Sequence, residues 1–218
     1  MTRLLTPQFP DTQMKKILTL LALAALATLN VRAADETGFV PLFNGKDITG
    51  WKLRRPAGNN SWTVEAGVLK NTVNKGEHGT DLVTDKKFWN FTVRYEFMVP
   101  DGSNSGFYLR GRHEIQILGD YKSGKPDIHG NGAIYGFKAP SEFASKPGGE
   151  WQTAEATIIG NKISVTLNGK KIQDDVECDR ATGSEIDNHI NDPGPIFLQG
   201  DHGTVWFRNV RIKELPAS

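Results

Sequence analysis

Trp89-Asn90-Phe91-Thr92-Val93-Arg94-Tyr95-Glu96-Phe97-Met98-Val99 is the stretch that decides the fold. Trp89, Phe91, Val93, Tyr95, Phe97 and Val99 alternate with Asn90, Thr92, Arg94, Glu96 and Met98. One face is wholly apolar and the other mostly polar, as in a strand buried on one side. Ile163, Val165 and Leu167 alternate in the same way with Lys162, Ser164 and Thr166. Gly160-Asn161 and Asn168-Gly169 bracket that second run, and two-residue hairpin turns need the positive φ such residues tolerate. They predict an up-down-up meander from Trp151 to Gln173. Glu65-Ala66-Gly67 joins Ser61–Val64 to Val68–Asn71 likewise, and Asp101-Gly102 ends the long strand.

Past residue 38, amphipathic helix patterns are hard to find. Short strands punctuated this often, without intervening helices, predict an all-β jelly-roll sandwich. No internal repeat or low-complexity linker divides residues 38–216, which read as one domain.

The beginning of the chain reads differently. Lys15 and Lys16 precede the apolar run Ile17 to Leu29, and Val31-Arg32-Ala33 offers small residues at the −3 and −1 positions of a cleavage site. Residues 1–33 are expected to be a secretory signal peptide. The apolar run is too short to span a bilayer comfortably. Met14 is the natural start of such a peptide, which would make Met1 to Gln13 an upstream extension. The expected location is therefore periplasmic or secreted, with no integral membrane segment after cleavage.

Lys+Arg 26 against Asp+Glu 25 leaves no basic excess to grip a phosphate backbone, which argues against nucleic acid as a partner. Without residues 1–33, which carry Arg3, Lys15, Lys16 and Arg32 against Asp11, the balance turns slightly acidic. A single cysteine, Cys178, excludes an intrachain disulfide framework and any Cys-built zinc site.

Two stretches concentrate polar chemistry. Asn104-Ser105-Gly106-Phe107-Tyr108-Leu109-Arg110 leads through Gly111-Arg112 into His113-Glu114-Ile115-Gln116-Ile117-Leu118. Strand parity puts Phe107, Leu109, Ile115 and Ile117 on the core face, and Tyr108, Arg110, Glu114 and Gln116 on the opposite one. A short turn at Gly111-Arg112 would then set Arg110 beside Glu114. The bland reading is a solvated face with a cross-strand ion pair. The second stretch is Pro193 to Gly203, where Ile196 and Leu198 would point inward and Phe197 and Gln199 outward. Gly200 and Gly203 would free the backbone around Asp201 and His202. A His beside an Asp there is a base or a sugar-hydroxyl contact, or else part of a surface turn. Tyr135 and Trp151 are candidates for stacking on a sugar, although isolated strand aromatics are more often core.

Several hydrolytic signatures are absent: a His-Glu-x-x-His helix, a Gly-x-Ser-x-Gly elbow and a phosphate-binding glycine loop. Glu114-Ile115-Gln116 is followed by Leu118 and Gly119 where a laminarinase-type glucanase would carry further acids, so a paired-carboxylate hydrolase is not supported. His78, His113, His129, His189 and His202 are scattered, and no metal ligands can be read from spacing.

Leu42-Phe43-Asn44-Gly45-Lys46-Asp47 with Gly50-Trp51 resembles the opening motif of the 3-keto-glycoside lyase/hydratase domain, also called the 3-keto-disaccharide hydrolase domain. Asn104-Ser105-Gly106, Glu114 to Leu118, Gly149-Glu150-Trp151, Asn168-Gly169, Leu198 to Gly203 and Phe207-Arg208-Asn209-Val210 follow in family order. Gln152 departs from the pattern, since the family usually has Asn after that Trp. The resemblance implies a concanavalin-A-like jelly roll with its site on the concave face of the larger sheet. It also implies cleavage of 3-keto-glucosides by β-elimination, hydration of the resulting 2-hydroxy-3-keto-glucal, and net hydrolysis.

On these residues the resemblance gives Glu114 or His202 as base and Arg110 to steady the enolate. Gln116, Tyr108, Tyr135, Trp151, Gln199 and Asp201 would contact substrate. No cofactor can be read from the sequence with certainty; a divalent cation is a possible enolate stabiliser in such a site, but nothing fixes its ligands. The alternatives are a non-catalytic carbohydrate-binding module, gripping glycans through Trp151 and Tyr135, and a partner-binding domain of the cell envelope.

Overall fold

The computed structural model describes residues 35–74 and 76–216, so the leader expected over residues 1–33 lies outside the described residues. In chain order the strands are β1 (Val40–Pro41), β2 (Trp51–Leu53), β3 (Trp62–Glu65), β4 (Val68–Asn71), β5 (Leu82–Phe88), β6 (Phe91–Met98) and β7 (Asn104–Leu109). They continue as β8 (His113–Leu118), β9 (Gln152–Ile159), β10 (Lys162–Leu167), β11 (Lys170–Glu177), β12 (Gly194–Leu198) and β13 (Val205–Glu214). Among the described residues the helical content is a 3-10 turn at Tyr121–Ser123, and no helix is long and apolar enough to cross a membrane.

Two antiparallel sheets form the sandwich. The larger has the order β11-β10-β9-β6-β13-β4-β3, with β1 added to β13, and the smaller has the order β2-β5-β12-β7-β8. The alternation that predicted β6 holds along its length, residue by residue buried then half-buried. Trp89 is the exception: the strand begins at Phe91, because Trp89 and Asn90 carry the chain across from β5 in one sheet to β6 in the other.

The predicted β9-β10-β11 meander is present, with Lys162 opposite Ile159 and Leu167 opposite Lys170. Asn168 and Gly169 both take positive φ (51° and 81°), whereas in the other turn it is Gly160 (55°) that does. Ala66 and Gly67 do the same between β3 and β4.

The inner faces meet in one apolar core. Tyr95 of β6 stacks on Phe107 of β7 with ring centroids 4.0 Å apart, and Phe207 of β13 packs edge-on against Phe107. Leu109, Ile115, Ile117, Ile196 and Leu198 belong to this core, as strand parity requires. That assignment leaves Tyr108, Glu114, Gln116, Phe197 and Gln199 on the outer face of the five-stranded sheet.

Candidate functional site

The outer face of the smaller sheet is covered by loops and is not a bare solvated wall. Register places Val83, Phe197, Tyr108 and Glu114 side by side across β5, β12, β7 and β8. Phe197 and Tyr108 stack at 4.0 Å, and with Val83 they form a small buried cluster against Ile186. The Tyr108 hydroxyl donates to the Gly183 carbonyl at 2.8 Å, which ties the sheet to the loop above it. Residues 132–135 run along the free edge of β8: Gln116 N–H bonds the Ala133 carbonyl, and Tyr135 N–H bonds the Glu114 carbonyl.

Glu114 sits in this floor, 3% exposed. Its side chain lies over Gly106 of the neighbouring strand; a Cβ there would stand 2.2 Å from the Glu114 Oε1 and 2.9 Å from the Tyr108 ring. Burial pushes the Glu114 carboxyl up to about 7, opposed by the nearby Tyr108 hydroxyl and the His202 charge. A bare carboxylate held out of water near neutrality can both take and give a proton at physiological pH.

Beside it stands the loop after β12. His202 Nδ1 lies 2.5 Å from Asp201 Oδ1, and that carboxylate raises the imidazole above its usual range, with Glu114 and Asp81 adding to the effect. His202 remains half-exposed.

The loop is pinned at several points. Asn71 Nδ2 donates to the Gly200 and Gly203 carbonyls at 2.9 and 2.8 Å, Gly200 N–H donates to Asp81 Oδ1 at 2.9 Å, and Ser105 Oγ holds the Gln199 carbonyl at 2.8 Å. Asp81 is itself anchored by Arg54 at 3.3 Å, whose guanidinium also reaches the Ser184 and Glu185 carbonyls and lies over Phe197. Gly200 is needed for close approach and not for an unusual φ: a Cβ would stand 2.2 Å from the Thr80 carbonyl oxygen. Asn71, Asp81 and Arg54 were not among the sequence candidates. Apart from the Arg54–Asp81 pair, 27 residues apart, the hydrogen bonds that give them these roles are with partners 119 to 132 residues away, and no local pattern marks them.

Several expectations are corrected. The candidate residues Tyr108, Glu114, Gln116 and Gln199 lie on the smaller sheet, whereas the larger sheet was the one expected to carry the site. Arg110 does not join Glu114. The turn between β7 and β8 is Arg110-Gly111-Arg112, with Leu109 opposite His113, and both Arg110 (φ 54°) and Gly111 (φ 66°) are left-handed. Parity ends at Leu109. The fully buried Arg110 guanidinium lies 3.6 Å over the Trp89 ring and donates to the Trp89, Gly160 and Ile190 carbonyls at 2.7, 2.6 and 3.3 Å. Trp151 is also elsewhere. It stands on the outer face of the larger sheet, beneath the Arg208 guanidinium at 4.0 Å, and lines a cavity of about 300 Å³ with Trp206 and Met98.

Tyr135 does belong to the rim, packed edge-on to His129 at 4.9 Å and close to Gly183. With Trp151 on the other side of the sandwich, the two aromatics cannot form one stacking platform. Gln152 is a structural amide: its oxygen accepts from Asn131, Asn168 and the Lys146 N–H. Further clefts of about 550 and 380 Å³ flank β1 and β13, away from Glu114. Among the described residues no three His, Cys, Asp or Glu side chains gather closely enough to hold a metal ion.

One covered face of this β-sandwich thus brings together a buried carboxylate, an Asp–His pair and two buried amides. Residues 38–213 match the 3-keto-alpha-glucoside-1,2-lyase-like domain, and the chain belongs to that family. It is similar to a 3-keto-disaccharide hydrolase of Bacteroides thetaiotaomicron, 30% identical over 83% of this chain and 80% of that protein. A solved structure of a candidate glycosyl hydrolase from Parabacteroides distasonis is 29% identical, with TM-score 0.67, over 82% of this chain and 94% of its own. A β-porphyranase from Bacteroides plebeius shares the fold, with TM-score 0.50 and 13% identity over 88% of this chain and 97% of that one.

Proposed function

We propose that this chain cleaves 3-keto-glucosides by β-elimination and hydrates the product, for net hydrolysis. The observation that carries the reading is Glu114: a carboxylate buried and poised near neutrality, whose neighbours Asp201 and Asp81 are engaged by His202 and by Arg54 and the Gly200 N–H, which leaves neither as the free second acid of an ordinary glycosidase. A ketone at C3 acidifies the C2 hydrogen, because the electrons left behind delocalise onto the C3 oxygen. Glu114 takes that proton, and the His202 imidazolium, kept charged by Asp201, donates to the enolate oxygen. The enolate electrons then form the C1–C2 double bond as the C1–O bond breaks. Glu114, now protonated, gives its proton to the departing oxygen. Water adds to the 2-hydroxy-3-keto-glucal in the reverse sense, its oxygen to C1 and a proton to C2.

The family relationship and the B. thetaiotaomicron relative support this substrate class. The leader read over residues 1–33 supports an exported enzyme, periplasmic or secreted. The test is to add a 3-keto-glucoside and follow aglycone release with the absorbance of the glucal; no turnover of either anomer would remove the proposal.

The pH profile has a stated sign. Glu114 must be ionised to act as base, so kcat/KM should rise through a pKa near 7. His202 must be protonated, so the rate should fall again above its raised pKa. A bell-shaped profile that loses its alkaline limb in His202→Asn is expected; an unchanged profile in that variant contradicts the role.

Gly106 supplies a structural check. Gly106→Ala should push the Glu114 carboxylate off its seat and lower turnover by about 10²-fold, as expected for a misplacement on the order of 1 Å. Wild-type turnover in a folded Gly106→Ala protein would mean that Glu114 need not lie where it does.

A further inference from the structure

The floor of the site has a polarity that the reaction alone does not explain. Gln199 and Gln116 flank Gly106 in the next row across the sheet: Gln116 is its register partner on β8, and Gln199 bonds the Gly106 carbonyl from β12. Both side chains are more than nine-tenths buried, and both amide oxygens lack a hydrogen-bond partner. A buried unpaired acceptor is unfavourable unless something arrives to fill it.

The orientation of each amide is fixed by its other end. Gln116 Nε2 donates to the His129 carbonyl at 3.1 Å, which can only accept. Gln199 Nε2 faces the Tyr108 hydroxyl at 3.4 Å, and that hydroxyl, its one proton drawn to the Gly183 carbonyl and the Glu114 carboxylate, is left as an acceptor toward the amide. Flipping either amide would set oxygen against oxygen. The floor therefore holds two buried acceptors, one from each strand flanking Gly106.

We propose that Gln116 and Gln199 are the specificity residues of this site: their amide oxygens accept hydrogen bonds from two hydroxyls of the sugar ring and so turn its ketone toward His202. This rests on the function proposed above. A ketone oxygen cannot donate, so against either Gln it would leave two acceptors face to face in a buried place. Hydroxyls satisfy the floor, and the donor side of the site, at His202, is left for the oxidised carbon. The same polarity selects against a ring that lacks either hydroxyl, because an unpaired amide oxygen then stays buried.

The experiment pairs Gln116→Met and Gln199→Met, which keep length and remove the acceptor, with a 3-keto-glucoside and its monodeoxy analogues. Each variant should lose about 10²-fold in kcat/KM on the parent substrate. That loss should shrink to within about threefold on one deoxy analogue, a different one for each Gln. Melting temperatures should change little, since each variant removes an unpaired buried oxygen together with the donor that serves the His129 carbonyl or the Tyr108 hydroxyl. Equal losses on every analogue overturn the proposal. So does a loss that disappears after chelator treatment, which would assign the oxygens to a cation. Equilibrium binding of methyl glucoside and its deoxy forms gives a readout free of chemistry. The same pairwise pattern in Kd without turnover of any keto-sugar would keep the acceptor floor and remove the reaction; its absence in both readouts would remove the floor.

Discussion

Glu114→Gln should lower kcat for aglycone release by about 10³-fold, within the range a positioned general base contributes. The substitution keeps shape and most hydrogen bonding, so the loss would report proton transfer and not positioning. Stability should move the other way. The folded carboxyl titrates near 7, above the ordinary carboxylate range near 4.5, so the native protein binds that proton more tightly than the unfolded chain does. The resulting penalty is absent below about pH 4.5 and complete above about pH 7. At pH 8 the Gln variant should therefore be more stable than wild type by up to about 3 kcal/mol, and at pH 4 the two should converge. Denaturant titrations at both pH values check this. Wild-type rates in the variant would return Glu114 to a structural role.

The second large effect is on folding. Arg110→Met should lower stability by about 3–5 kcal/mol, or roughly 10 °C in Tm, while leaving kcat of the folded protein near wild type. The guanidinium bridges three backbone carbonyls, from the β5–β6 crossover, the β9–β10 turn and the loop before β12. Removing it strands those acceptors and vacates the space over Trp89. Arg110→Lys should recover little, because one ammonium cannot span the three carbonyls that the planar fork reaches. A kcat loss of 10² or more with an unchanged Tm would instead put Arg110 back in the chemistry.

Arg110 also marks where reading the sequence stops working. Period-2 parity gave the correct faces for Phe107, Tyr108, Leu109, Glu114, Ile115, Gln116 and Gln199, because each lies in or directly beside a regular strand with one face in the core. Two left-handed residues in a three-residue turn end that regularity, and Arg110 is the first of them. Trp89 failed for a related reason: it continues the apolar alternation but occupies the crossover between sheets. Which sheet carries the site depends on pairings such as β12 with β5 and β7, which join residues far apart in sequence. The Asn71 and Asp81 contacts that hold the His202 loop are of the same kind. Asp201 and His202 were legible as adjacent residues among glycines; their closeness to Glu114 was not.

The most direct test of the central claim is to run the reaction in D₂O and examine C2 of the released sugar by NMR. Elimination followed by hydration breaks the C2–H bond and rebuilds it from solvent. The product should therefore carry deuterium at C2, at a rate far above that of the 3-keto sugar alone in the same buffer. Direct displacement at C1 leaves C2 untouched, so aglycone release with hydrogen retained at C2 would contradict the account.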